Sequence, residues 1–237
     1  AGGDTNQNGT ATSGAINQWY GMSLGAGSSA SVLTRAQIRC MGWGNWSVTV
    51  TGASPTFVDC RFSDGGYGGL ELGLAAMPTV TRCDFQRINS VPVVRGLTFE
   101  ASAGFTDTTA SNCSGGAYMR IDNATLAADA TVGPRNGIQG VLVHAASIAV
   151  PAGTALTFRA GLAMKALSPL VFTVNGTLRA NGTAAQPVVL TSIHDDSVGG
   201  DTNQNGAATV AAVNQWYGMS FGIGSDAICR PTATTSR

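Results

Sequence analysis

Two copies of one hexapeptide, D-T-N-Q-N-G at Asp4–Gly9 and again at Asp201–Gly206, carry oxygen-bearing side chains at alternate positions, closed by a glycine. When such a backbone curls, the alternate oxygens converge on one point and the glycine permits the sharp turn, as in the opening of a calcium loop. The ligands in the first copy would be Asp4, Asn6, Asn8 and the carbonyl oxygen of Thr10; in the second, Asp201, Asn203, Asn205 and the carbonyl oxygen of Ala207. The glutamate that closes a full helix-flanked loop at its twelfth position is absent, since Ala15 and Ala212 stand there. Asp195 and Asp196, just upstream of the second copy, are placed to supply the missing charge. The expectation is a structural Ca2+ site with a dissociation constant on the order of 10⁻⁴–10⁻³ M that stiffens a protruding loop. The plainer alternative is a turn whose Asp and Asn side chains bond only their own backbone.

A second set, Asp59, Arg61, Asp64, Arg82, Asp84 and Arg87, has the composition that cleavage of an acidic polysaccharide requires, carboxylates beside basic groups on one groove. Its spacing argues for a quieter role. P-T-F-V-D-C-R-F at Pro55–Phe62 returns as P-T-V-T-R-C-D-F at Pro78–Phe85. Stacked at that offset, Asp59 lies beside Arg82 and Arg61 beside Asp84, the opposite-charge pairing of neighbouring strands. His144 and His194 have no partner pattern, and no G-x-S-x-G elbow supports a nucleophilic hydrolase. Five cysteines without a C-x-x-C pair argue against zinc. Cys40, Cys60, Cys83 and Cys113 follow one another at comparable steps and read as one inward column of thiols, with an oxidised Cys40–Cys60 pair as the alternative. The rings Trp19–Tyr20, Trp43, Trp46, Tyr67 and Trp216–Tyr217 gather near glycine-rich turns, either as a sugar-stacking platform or as lids packed under the D-T-N-Q-N-G loops.

Composition narrows the partners. The chain has 237 residues, 13 Lys+Arg against 13 Asp+Glu, and a charged fraction of only 11%, with Lys165 as its single lysine. No basic run is present to neutralise phosphates, which argues against nucleic acid and against an anionic membrane surface. No stretch reaches the ~18 consecutive apolar residues of a spanning helix. Low charge and abundant small polar residues lean towards an extracellular or cell-surface setting.

The elements that must carry these groups are short. No apolar stripe at helical spacing persists over three turns, whereas runs such as Ser47–Thr51, Thr56–Phe62, Gly69–Leu74, Thr79–Phe85 and Leu170–Val174 are bounded by Gly, Pro, Asn or Asp. The chain therefore reads as all-β. A local repeat of about 20–30 residues is one coil of a parallel solenoid, in which each rung sits on the one before. Roughly ten such coils fit the chain, giving a rod about 50 Å long. Leu170, Phe172 and Val174 are assigned to the core, and Pro151, Gly153, Gly176 and Gly182 to corners, the glycines at positive φ. The tail from Ile228 onward shows no coil pattern. A longer repeat frames the whole: Gly2–Gly25 and Gly199–Gly222 are two copies of one sequence, identical at most positions. Residues 1–237 thus read as one solenoid segment that opens and ends on copies of one loop-plus-coil motif.

The pieces V-P-A-G-x-x-L-T-F-x-A-G, V-x-G-T-L-x-A-x-G-T-A-A-x-P-V-x-L-T-S and D-D-S-V-G-G-D-T-N-x-N-G, over Ile148–Gly222 and Gly2–Gly25, resemble the right-handed parallel β-helix modules of large bacterial surface and secreted proteins. That resemblance implies architecture and says little about activity. The expected function is a non-enzymatic structural or adhesive extracellular solenoid with calcium-stiffened loops, able to associate end to end as part of a tandem array or fibre. A polysaccharide lyase or hydrolase and a carbohydrate-binding surface module are the alternatives.

Overall fold

The computed structural model describes residues 14–43, 47–89, 92–114, 117–167, 170–206, 208–215 and 217–229. The chain winds as an all-parallel β-solenoid. Coil one carries β1 (Met22–Leu24), β2 (Val32–Thr34) and β3 (Gln37–Arg39); coil two β4 (Val48–Val50), β5 (Thr56–Val58) and β6 (Arg61–Ser63). Coil three carries β7 (Leu70–Leu72), β8 (Thr79–Thr81) and β9 (Asp84–Gln86). In the fourth, β10 (Val94–Leu97) leads through a one-turn helix α1 (Phe99–Ala103) to β11 (Phe105–Thr106) and β12 (Thr109–Ser111). Then follow β13 (Met119–Ile121) and β14 (Ala130–Val132), and β15 (Val141–Val143), β16 (Ser147–Val150) and β17 (Ala155–Arg159). The last rungs are β18 (Ala163–Ala166), β19 (Val171–Val174), β20 (Thr177–Asn181), β21 (Val189–Ser192), β22 (Gly218–Phe221) and β23 (Asp226–Cys229).

One face runs the whole length, stacking β1-β4-β7-β10-β13-β15-β18-β21. Each rung on it lies directly over its counterpart one coil earlier, as in Met22↔Val48, Val48↔Leu70 and Met164↔Leu190. The other faces change partway. Stacks β2-β5-β8-β11 and β3-β6-β9-β12 stop at the fourth coil, and β14-β17-β20-β23 and β16-β19-β22 take over. A seam therefore crosses the solenoid between β11 and β14.

About seven turns are present where ten were expected. The cause is local. Between β21 and β22 the chain leaves the stack, and none of the described residues between Ser192 and Gly218 belongs to a rung. At about 4.8 Å per step, seven turns span about 34 Å.

Alternation along each short strand sends one set of side chains inward, and stacking piles like on like. Val48, Leu70, Val94, Met119, Val141 and Met164 form one fully buried column, and Phe62 stacks on Phe85 with ring centroids 4.9 Å apart. Leu170, Phe172 and Val174 are buried as expected.

Four expectations are corrected. Thr56–Phe62 and Thr79–Phe85 are each two strands, broken by a left-handed corner at Asp59 (φ 54°) and Arg82 (φ 50°). The cysteines do not form one column. Cys60 and Cys83 stack inward, with the Cys60 N–H donating to Cys83 Sγ at 3.4 Å, whereas Cys40 (φ 61°) occupies the next corner, in register with Asp64, and Cys113 comes one residue after Asn112 (φ 53°), which stacks in that same corner column. All four are free thiols. Gly153 takes positive φ (83°), but Gly176 and Gly182 are needed for close approach instead, since a Cβ on Gly176 would lie 2.2 Å from the Pro151 carbonyl oxygen. Finally, Asp226–Cys229 is a rung, paired to β20, so the coil pattern continues into the tail.

Candidate functional site

The segment that leaves the stack after β21 is the second D-T-N-Q-N-G copy, and it folds back over the outer surface of the long face. Its landing site is apolar: Ile193 packs with Tyr118 and Leu142 in a small cluster separate from the main core. Gly199 and Gly200, at φ 66° and 78°, lie against Gln139; a Cβ on either would come within 2.9 Å of it. That approach explains the paired glycines at Gly199 and Gly200.

The loop is anchored by the single lysine. Lys165 points outward from β18, yet is only 3% exposed because the loop covers it. Its Nζ donates to the Gly200 carbonyl oxygen and to Thr202 Oγ1, both at 2.7 Å. Burial pushes the ammonium pKa below its ordinary value, while the fields of Asp196, Asp195 and Asp201 oppose that shift. One cation thus stands among three carboxylates, leaving a formal local charge of about −2 at neutral pH.

Of the residues proposed from sequence as metal ligands, Asp195, Asp196, Asp201, Asn203 and Asn205 are brought into this one loop. Asp4, Asn6, Asn8, Thr10 and Ala207 lie outside the described residues, as do Trp46 and Trp216. The Asp201 carboxylate accepts from the backbone N–H groups of Asn205 (3.2 Å) and Gly206 (2.8 Å), closing the turn. Asp195 accepts from Thr191 Oγ1 at 2.7 Å and from the Ser197 N–H at 3.2 Å. Thr209, which sequence reasoning passed over, is the hub. Its Oγ1 accepts from Asn205 Nδ2 (2.6 Å) and Asn203 Nδ2 (3.1 Å), and lies 3.0 Å from His194 Nδ1. With both amide nitrogens held there, the amide oxygens face elsewhere. Asn203 Oδ1, Asn205 Oδ1 and Asp196 Oδ1 are all buried without a hydrogen-bond partner. Buried oxygens in that condition are rare, because each gives up its hydration for nothing. Among the described residues no three His, Cys, Asp or Glu side chains group to hold a metal.

The Asp/Arg set has a different character. Arg82 clasps Asp59 through two hydrogen bonds (2.7 and 3.0 Å), Arg87 clasps Asp64 in the same way (2.7 and 2.9 Å), and Arg61 meets Asp84 at 3.3 Å. The pairings expected from the Pro55–Phe62 and Pro78–Phe85 repeat are present. They also offset strain, since Arg82 and Arg87 sit at left-handed corners that long side chains avoid. No unpaired carboxylate of the set is left poised as a base.

These pairs set the acid response. The hydrogen bond from Arg87 holds the Asp64 carboxyl below its ordinary 3.8, and hydrogen bonds from Ser197 and Thr191 do the same for Asp195. A carboxyl whose folded pKa is depressed stabilises the fold fully above its unfolded pKa and loses that contribution as pH falls through the folded one. Stability is therefore expected to be flat at about pH 6 and to drop below about pH 4. Urea midpoints measured at about pH 6 and about pH 3 should differ, and Asp64→Asn should shrink the difference.

Searches against known protein families, curated proteins and solved structures returned no match to this chain.

Proposed function

We propose that the chain is a non-enzymatic structural segment of an extracellular or cell-surface β-solenoid, built for tandem or end-to-end arrays, with a D-T-N-Q-N-G loop stiffened by calcium. The observation that carries the calcium reading is the set of three buried, unpartnered oxygens, Asp196 Oδ1, Asn203 Oδ1 and Asn205 Oδ1. They belong to residues that the motif singles out, in a loop with surplus negative charge. A hard divalent cation takes oxygen ligands of this mixed kind, and few carboxylates mean weak binding. Array formation is supported by the two copies of G-M-S, whose Met-Ser pairs lie in β1 and β22. The first copy opens one stack and the second closes another, so a further unit would continue the winding on β22. The mutual pairing of Asp59, Arg61, Asp64, Arg82, Asp84 and Arg87 weighs against the lyase reading. A saccharide partner would be assigned to Tyr20, Trp43 and Tyr67, exposed on successive coils.

Calorimetric titration of the chain with CaCl2 should give saturable binding at about 10⁻⁴–10⁻³ M, against a MgCl2 control. Asp196→Asn combined with Asn205→Ala should remove one equivalent. Equal responses to both metals, or a stoichiometry indifferent to that double substitution, would sink the calcium reading.

A further inference from the structure

Where β11 ends one stack and β14 begins the next, the rungs do not pair, and the seam opens into two adjoining clefts of about 310 Å³ each. Both are lined by Asp107, Pro134 and Arg135, and Arg159 walls the first. We propose that this seam is an anion-binding site, in which Arg135 and Arg159 receive the carboxylate, sulfate or phosphate group of a small ligand. The proposal is independent of the calcium loop.

Arg135 is committed to the seam by its structural duty. Its Nε donates to the Phe105 carbonyl oxygen at 3.1 Å and its Nη1 to that of Gly133 at 3.1 Å, and Nη2 donates to the Ser102 carbonyl oxygen. These carbonyls flank the break in the ladder, and the guanidinium fork substitutes for missing neighbours. Three of its five N–H donors are thereby used. What the carbonyls do not supply is a counter-charge: Arg135 forms no ion pair among the described residues. Burial pushes its pKa down to about 10, the signature of a cation short of compensation. A guanidinium so placed, with two donors left over, is a preformed half-site for an oxyanion.

Arg159 supplies the second half. It is exposed, in register beyond Phe158 with Gly133, and makes no ion pair among the described residues. Its stem lies over Gly133, where an added Cβ would come within 3.2 Å of Arg159 Cδ. The bare glycine lets that chain lie along the cleft wall. Asp107, on the same cleft, contributes to the field that raises the Arg82 pKa on the preceding coil. The two arginines leave the seam net positive even with Asp107 counted. Thr106 and Thr131 add hydroxyl groups for the neutral part of a ligand.

The test titrates the whole chain, at ionic strength held constant with NaCl, with sodium sulfate, phosphate, acetate and glucuronate. The Arg135 Nε–H resonance is followed by NMR. At least one oxyanion should shift it saturably, and Arg159→Ala should weaken that binding about tenfold. Arg179→Ala, which removes an arginine outside the clefts, should leave it unchanged. Preference for acetate and glucuronate over sulfate and phosphate, or the reverse, identifies which anionic group the seam selects. No saturable shift with any of the four, or binding indifferent to Arg159→Ala, overturns the proposal.

Discussion

Phe85→Ala is expected to lower stability by about 3–5 kcal/mol, at the upper end for a buried aromatic. Phe85 is fully buried and stacks on Phe62 at 4.9 Å with the rings 14° from parallel, and Phe62 meets Phe57 edge-on at 5.6 Å. The cost of truncation depends on whether neighbours can close over the gap. Here they cannot move far, because β6, β9 and β12 are held apart at a fixed rung spacing by main-chain hydrogen bonds. Gly69 already presses on the ring, with its hypothetical Cβ 2.4 Å from Phe85 Cδ1, so the far side is filled by backbone. Phe221→Ala is the matched comparison. Phe221 points inward in register with Val174, but on the last rung of its stack and 46% exposed, so its loss should cost less than half as much. Urea unfolding of both variants checks the pair. Similar midpoints for the two would mean that the stack is not what stabilises the first coils.

That contrast shows which physics a sequence displays. Column identity is legible because stacking forces like residues to recur: the return of P-T-F-V-D-C-R-F as P-T-V-T-R-C-D-F was enough to place Asp59 against Arg82 and Arg61 against Asp84. The corners inside those strings were not legible. A left-handed turn normally advertises itself by glycine or asparagine, and here aspartate and arginine fill that position, Asp59 held to Arg82 by an ion pair across coils. The cysteine column failed for the same reason. The steps from Cys40 to Cys60, Cys83 and Cys113 resemble one period, but corner-to-corner lengths vary, so similar spacing does not mean the same side of the wall. The turn count was overestimated because the second copy of the most conspicuous motif in the chain, Gly199–Gly206, belongs to an excursion and adds no rung.

The candidate site divides similarly. Its acidic and amide residues were visible as alternate positions in a hexapeptide. Thr209, His194 and Lys165 were not, since nothing in local spacing connects β18 to a loop that follows a further full coil of chain. Scarcity was the only available signal. A chain whose basic residues are arginines but for one lysine has a reason to place a compact, flexible ammonium at that point and nowhere else.

Lys165→Met should release the loop while leaving the solenoid wound. The ammonium makes two short hydrogen bonds to loop oxygens, each worth about 1.5–3 kcal/mol when charge-assisted, against the desolvation that burial imposes. Methionine keeps the volume and the apolar stem, so the side chain still covers Leu142 and its neighbours. It leaves the Gly200 carbonyl and Thr202 hydroxyl unpartnered and three carboxylates without their cation. A net loss of about 2–4 kcal/mol in loop docking follows. Because rungs β18 and β21 pair through the backbone, the far-ultraviolet circular dichroism should stay at the wild-type level, and limited proteolysis should cut within residues 194–217 first. Arginine should not rescue, for its planar fork needs more room than a fully covered point charge leaves. The wild-type chain offers an independent readout. Its one ε-amine can be methylated only when the loop lifts, so the labelling rate of Lys165 measures the opening equilibrium directly. Calcium, if it fills the neighbouring oxygens, should slow that labelling further. Wild-type protease resistance in Lys165→Met would show that the apolar contacts of Ile193 hold the loop unaided.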